Sequence, residues 1–226
     1  MKKSIVLLII LFIYSCSVNR SLKTSTPTSE ILSLSYFEPI AFINYVEKGN
    51  KSVPSDSLSV ITKHKLDSLM HKHKSRLRLS NELTFENEIS KSIFNSETGR
   101  LAEAITRQRS LNGIKITPVI DSIMEKNNTR FAMSVVAVGF GRRKGNYGGQ
   151  VAKGIGVGIL TLGMVTPVPT KSSLNLYGFI FDSKKDEVTY YNRQIPNKEV
   201  SPTDSESMEK LLLELFNGYL YEQEIN

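Results

Sequence analysis

The chain of 226 residues has one cysteine, Cys16, so no disulfide can form within it. Histidine is scarce as well. His64, His71 and His73 sit among Lys63, Lys65, Lys72 and Lys74. Those lysines repel a cation, so no metal site is expected and a solvated helix face accounts for the cluster. No Gly-x-Ser-x-Gly elbow is present, no glycine series ends in Gly-Lys-Ser/Thr, and no carboxylate pair is marked by a local motif. Tyr190-Tyr191 read as packing partners between strands rather than a ligand platform. No catalytic constellation emerges, and the expectation is a protein that is not an enzyme and carries no cofactor. An excess of one charge sign is also missing. Lys and Arg total 29 against 22 Asp and Glu, a net charge of +7. Two of those cations, Lys2 and Lys3, belong to a segment expected to be removed, leaving 27 against 22. That balance is weak evidence for any polyanionic partner. With 40% apolar and 23% charged residues, the composition excludes a collagen, a mucin-like stalk or a wholly disordered chain.

What is present at the amino terminus is informative. Met1-Lys2-Lys3 precedes an uncharged run from Ser4 to Ser15, rich in Ile and Leu and twelve residues long. As a helix it would reach about 18 Å, short of the roughly 30 Å of a bilayer core. A basic start followed by a short apolar segment reads as a signal peptide over residues 1–15. The stretch Ile13-Tyr14-Ser15-Cys16 resembles the lipobox of bacterial lipoproteins, with its aliphatic residue three before the cysteine and a small residue just before it. That resemblance implies cleavage before Cys16, diacylglycerol on its sulfur and an acyl chain on its amine. Several chains on one residue make a stable membrane anchor. Ser17, rather than Asp, follows the cysteine, which in the sorting rule of such lipoproteins implies the periplasmic face of the outer membrane. A nucleic-acid partner sits badly with export.

Residues 17–30 are polar and aperiodic, so residues 16–37 read as the lipidated cysteine and a flexible tether, with one α/β domain over 38–226. In that domain Ile40–Val46 has the composition of a strand. Pro54-Ser55-Asp56 opens a helix whose face is Leu58, Ile61, Leu66, Leu69 and Met70. Arg76–Ser80 alternates as a half-exposed strand. Glu88–Gln108 reads as a helix with a core stripe of Ile89, Ile93, Leu101, Ala104 and Ile105. Thr117-Pro118 caps a shorter helix carrying Val119, Ile120, Ile123 and Met124. Arg130–Val138 is the strongest strand signal, apolar enough to be buried on both faces. Leu174–Phe181 and Glu187–Asn192 form a hairpin about Asp182–Asp186. Thr203 and Glu206 fit a capping box for a last helix with Met208, Leu211, Leu212, Leu215, Phe216 and Tyr219 on one face. The order β-α-β-α-α-β-β-β-α predicts an α+β (mixed α/β) fold, with a single sheet of about five strands and helices packed on it. The basic run Lys63–Arg78, six cations against Asp67, reads as a solvated face or as a surface for anionic headgroups or envelope polymers.

The unusual part is the connection 139–172. A basic glycine loop, Gly139–Gly149, leads into Gly154-Ile-Gly-Val-Gly-Ile-Leu-Thr-Leu-Gly-Met-Val-Thr-Pro-Val-Pro169, and no charge falls between Lys153 and Lys171. Small residues permit close backbone approach. Gly154, Ile155, Gly156, Val157, Gly158, Ile159 and Gly163 are therefore the candidate surface for membrane or oligomer contact, against the plainer reading of an apolar loop or helix packed on the sheet and a third reading of a phosphate loop, which lacks the Gly-Lys-Ser/Thr ending.

The element order over residues 38–221 resembles envelope lipoproteins whose domain is like the TolB amino-terminal domain and the curli secretion channel lipoprotein. In that group the strand Val135–Val138, the connection 139–172 and the hairpin 174–192 look like the core strands with a long connection, which in the secretion member supplies a membrane β-hairpin. The resemblance implies a lipid-anchored periplasmic protein acting in an envelope assembly or secretion system through a protein partner or self-association. The alternative is a monomeric ligand-binding lipoprotein with the glycine loop bordering a pocket.

Overall fold

The computed structural model describes residues 21–47, 51–142 and 171–222. Cys16, the signal peptide and the candidate residues Gly154, Ile155, Gly156, Val157, Gly158, Ile159 and Gly163 lie outside them. The strand expected from Arg130 runs as β6 (Phe131–Arg142) and organises the molecule. Its residues from Phe131 to Ala137 are all buried, as their apolar composition predicts for a strand covered on both faces. One edge of β6 pairs antiparallel with β7 (Ser173–Asp182), from Phe131 opposite Asp182 to Phe140 opposite Ser173. β7 pairs in turn with β8 (Glu187–Gln194), the expected hairpin. The other edge of β6 is divided. β2 (Leu34–Phe37) pairs parallel at Ala132 and Met133, and β3 (Ile40–Val46) pairs parallel from Val136 to Arg142. β5 (Leu79–Leu83) extends the sheet beyond β2, β4 (Ser52–Pro54) lies beside β3, and β1 (Leu22–Lys23) closes the far edge against β8.

The class is the α+β fold with one sheet that the sequence predicts, but the sheet has eight strands among the described residues rather than about five. The additional strands are short. β1 and β2 fall in the segment read as tether, and all four residues of β2 are buried. Polarity at 17–30 conceals this, because the segment is held largely by side-chain and backbone hydrogen bonds. Thr24 donates its amide to the Thr189 carbonyl, and Thr24 and Thr26 hydroxyls reach Glu187 at 2.9 and 3.2 Å. The domain therefore includes residues from Leu22 onward, ahead of the boundary at 38.

Side-chain alternation along β6 creates two cores. Met133, Val135 and Ala137 lie beneath α1 (Asp56–Lys72) and α4 (Ser205–Phe216), against Leu66, Met70, Leu212 and Phe216. Ala132 and Val136 lie beneath α2 (Glu88–Gln108) and α3 (Pro118–Lys126), against Phe94, Ile105, Ile120 and Met124. The result is a three-layer helix–sheet–helix arrangement.

Several local expectations shift. The strand read at Arg76–Ser80 begins at Leu79, because Arg78 takes a left-handed conformation (φ 54°) that ends the turn after α1. Ile61 is exposed and Thr62 takes its place in the α1 core, its hydroxyl donating to the Pro202 carbonyl. The α2 stripe is Phe94, Thr98, Leu101 and Ile105. Ile89 and Ile93 are 71% and 40% exposed, and Ala104 is exposed too. The α4 cap is Asp204, not Thr203. Its carboxylate accepts the Glu206 amide and the Ser207 hydroxyl. Pro118 starts α3, but the Thr117 hydroxyl makes no capping bond. No helix among the described residues is long and apolar enough to cross a membrane.

Candidate interaction surface

Two features of the sheet combine at one end of the molecule. First, where β3, β6 and β7 run on together, α1 still covers one face, burying Ile43 and Leu174, while the face toward α2 is left partly open. Neither core includes a β6 residue beyond Ala137. Parallel register sets Phe42 opposite Val138, and these are 47% and 37% exposed, where strands of this composition are normally covered. Second, α2 crosses the same face and leaves a groove of about 390 Å³. Phe42, Val136, Val138 and Tyr177 form its sheet side, and Thr98, Gly99, Ala102 and Thr106 its helix side. Glu103 and Arg107, one helical turn apart and 2.6 Å from each other, stand on the rim. The Thr98 hydroxyl is fully buried and has no hydrogen-bond partner, a costly arrangement for a core threonine. Thr106 shares a hydrogen bond with the Tyr191 hydroxyl at 3.2 Å, and burial pushes that phenol above its ordinary pKa, so it stays a neutral donor.

The groove offers apolar surface and hydroxyls. Its lining contains no His or Cys and a single carboxylate, that of Glu103, already paired. Such a lining has the chemistry to receive an apolar group.

The connection 143–170 leaves from this same end. Its two flanking strands are in continuous antiparallel register up to Phe140 opposite Ser173. Gly139 makes that register possible, since a Cβ there would stand 2.1 Å from the Ser173 carbonyl oxygen. The connection whose sequence holds the glycine-rich, uncharged stretch thus joins the ends of the longest strand pair in the sheet.

His64 is exposed, and the other two histidines have separate structural roles. His71 shares hydrogen bonds with the Tyr36 hydroxyl at 3.1 Å and with the Asp67 carbonyl at 2.9 Å. Burial, with Glu82 and Asp67 nearby, raises the Tyr36 pKa, the opposite of what an activated phenolate needs. His73 and Lys72 meet Glu209 at 2.6 and 2.7 Å and so tie α1 to α4. Among the described residues no group of three His, Cys, Asp or Glu side chains is placed to hold a metal ion.

Sequence reasoning missed the groove. Its helix side consists of Thr98, Gly99, Ala102 and Thr106, which carry no hydrophobic signal, and its sheet side depends on Phe42 meeting Val138 across strands 96 residues apart in the chain.

No protein-family model matches the chain, and no curated protein matches it. Among solved structures it is similar to a PelC dodecamer from Paraburkholderia phytofirmans, at 7% identity and a TM-score of 0.33, over 87% of this chain and 95% of that one.

Proposed function

We propose that the chain is a lipid-anchored periplasmic protein that acts without catalysis, as an interaction and self-assembly component of an envelope or secretion system. Cys16 is the anchor, and the stretch containing Gly154, Ile155, Gly156, Val157, Gly158, Ile159 and Gly163 is the contact surface. The observation that carries this reading is where the chain leading into and out of that stretch leaves the sheet. The chain that carries a segment without charge between Lys153 and Lys171 joins β6 to β7 at the end of the sheet where Phe42 and Val138 are exposed. Exposed apolar side chains at the end of a sheet are a common arrangement of a protein or membrane contact. Full-length protein extracted in detergent tests this by light scattering, beside a deletion of residues 145–170. The reading predicts a discrete oligomer that collapses on deletion. A monomer in both samples contradicts it.

One observation favours a second reading, that of a monomeric binder. The groove under α2 holds a buried, unpartnered Thr98 hydroxyl and open space at Gly99. A compound with an apolar body and one hydrogen-bonding group fits that lining. A fatty acid that stabilises the monomer and loses its effect in Gly99→Leu would support this binder over the assembly component.

A further inference from the structure

The chain contains two Asn-Gly pairs, Asn112-Gly113 and Asn217-Gly218. Such a pair has a chemistry of its own. The carbon of the asparagine side-chain amide lies within reach of the next backbone nitrogen, and glycine has no Cβ to block the approach. All four residues are exposed. Solvent access and residue type therefore do not separate the two pairs. Nor does glycine conformation, with φ 73° at Gly113 and 74° at Gly218. Their hydrogen bonds do.

Asn112 and Gly113 are the middle residues of a turn between α2 and α3, closed by the Ile114 amide donating to the Leu111 carbonyl at 3.0 Å. Among the described residues the Gly113 amide has no acceptor. The carbonyl of Asn112 belongs to the same peptide group as that amide. It accepts a hydrogen bond from Gln108 Nε2, at the end of α2, at 2.6 Å. When the Gly113 nitrogen loses its proton, the negative charge is shared with this oxygen. A donor already aimed at it stabilises the charged form.

Gly218 is held differently. Its amide donates to the Tyr221 carbonyl at 2.8 Å, a bond that favours the protonated nitrogen. The next two amides, of Tyr219 and Leu220, both donate to the Phe216 carbonyl, at 3.2 and 3.1 Å. Phe216, Tyr219 and Leu220 are all buried. Freeing the Gly218 nitrogen therefore disturbs a packed segment.

We infer that Asn112 is a site of spontaneous covalent modification, and that the fold protects Asn217 from it. The Gly113 nitrogen gives up its proton and forms a bond to Cγ of Asn112. The Cγ–Nδ2 bond breaks, and the side-chain nitrogen leaves as ammonia, taking up one proton. The five-membered imide that results is opened by water at either carbonyl. One opening leaves aspartate at position 112 and the other leaves isoaspartate. No oxidant or reductant is consumed. Isoaspartate lengthens the main chain by a methylene inside the turn. The same turn places the Ile114 carbonyl, which accepts the Val188 amide of β8 at 3.2 Å, so the change reaches the sheet.

The test holds the full-length chain in mildly alkaline buffer, samples it over days and digests each sample in acid. Mass spectrometry reads the exchange of amide for carboxyl at both asparagines, with fragmentation that distinguishes isoaspartate from aspartate. Asn112 is expected to convert several-fold faster than Asn217 in the folded chain. In urea the two rates are expected to converge, because only the fold separates them. Gln108→Leu keeps a good helix former and removes the donor. It is expected to slow Asn112 several-fold and to leave Asn217 unchanged. A variant that only loosened the turn would speed Asn112, and that result overturns the inference. So do equal rates in the folded chain, faster conversion at Asn217, or a gap that persists in urea. The comparison of folded with urea-unfolded chain uses no variant, so it decides even where Gln108→Leu fails to fold.

Discussion

Gly178 and Tyr190 show how closely α4 is set onto the sheet. A Cβ at Gly178 would meet Leu215 Cδ2 at 2.7 Å and Phe216 Cζ at 2.8 Å. Gly178→Ala is expected to cost about 1–3 kcal/mol, read from the urea midpoint, because neither side chain has room to move in a packed core. The Tyr190 hydroxyl donates to the Leu215 carbonyl at 2.7 Å, and Asn192 donates to the same oxygen at 2.8 Å. Burial pushes the Tyr190 phenol far above its ordinary value and the Tyr221 phenol up to about 12. Both groups titrate higher folded than unfolded, so their contribution is complete below about pH 10 and is lost as pH rises through the folded values. Tyr190→Phe is expected to cost about 1 kcal/mol at neutral pH, since Asn192 still serves the carbonyl. It is also expected to flatten the loss of stability above about pH 10. Equal alkaline sensitivity in the two proteins would contradict this. Neither contact is visible in the sequence. Gly178 reads only as a weak point in a strand, because the residues that require it lie 37 and 38 positions away.

At the level of elements, Glu38 joins two helices from opposite faces. It pairs with Lys63 of α1 and, at 2.9 Å, with Lys91 of α2. Burial alone would raise its pKa, but the hydrogen bonds from Lys63 and Lys91 outweigh burial and hold it below the ordinary carboxylate value. A depressed carboxylate stabilises the fold above its unfolded pKa, and that stability is lost as pH falls through the folded value. Glu38→Gln is therefore expected to lower Tm at pH 7 and to lose less than the parent between about pH 5 and pH 3. A parallel fall in both proteins would contradict this. Glu209 does the same between α1 and α4, with its carboxyl held low by Lys72 and His73. The helices these pairs join are legible in the sequence. Glu88–Gln108 has the predicted bounds, and four of its residues, not five, form the buried stripe. Hydrophobicity favours Ile89 and Ile93, yet the helix rolls to bury Phe94 and Thr98. The Phe94 ring centre lies 4.4 Å from that of Phe37, on a strand the sequence does not announce. Periodicity locates a helix better than it locates the buried face, because the face depends on the partner.

For the molecule as a whole, the helix–sheet class and the β7–β8 hairpin follow from apolar runs and turn residues. The sharing of one β6 edge between β2 and β3 does not. Neither does the incorporation of β1, which depends on pairing between positions more than 150 apart. A chain beginning at Leu34 is accordingly expected to melt lower than one beginning at Ser21. Each kcal/mol lost is worth about 2–4 °C at this size. Arg78→Ala is expected to reproduce part of the effect, because it releases the Thr28, Ile31 and Leu220 carbonyls together. Equal melting temperatures would return the segment to the status of a tether. The candidate contact stretch is legible from its lack of charge. Where the connection that carries it leaves the sheet emerges only from the β6–β7 register. The proposed placement in the envelope and self-association at a membrane both depend on one residue, Cys16. The intact mass of the protein isolated from bacterial membranes tests it directly. The account predicts a chain that starts at Cys16 and carries a diacylglycerol and one further acyl chain. A mass that retains residues 1–15, or one without acyl groups, would contradict it.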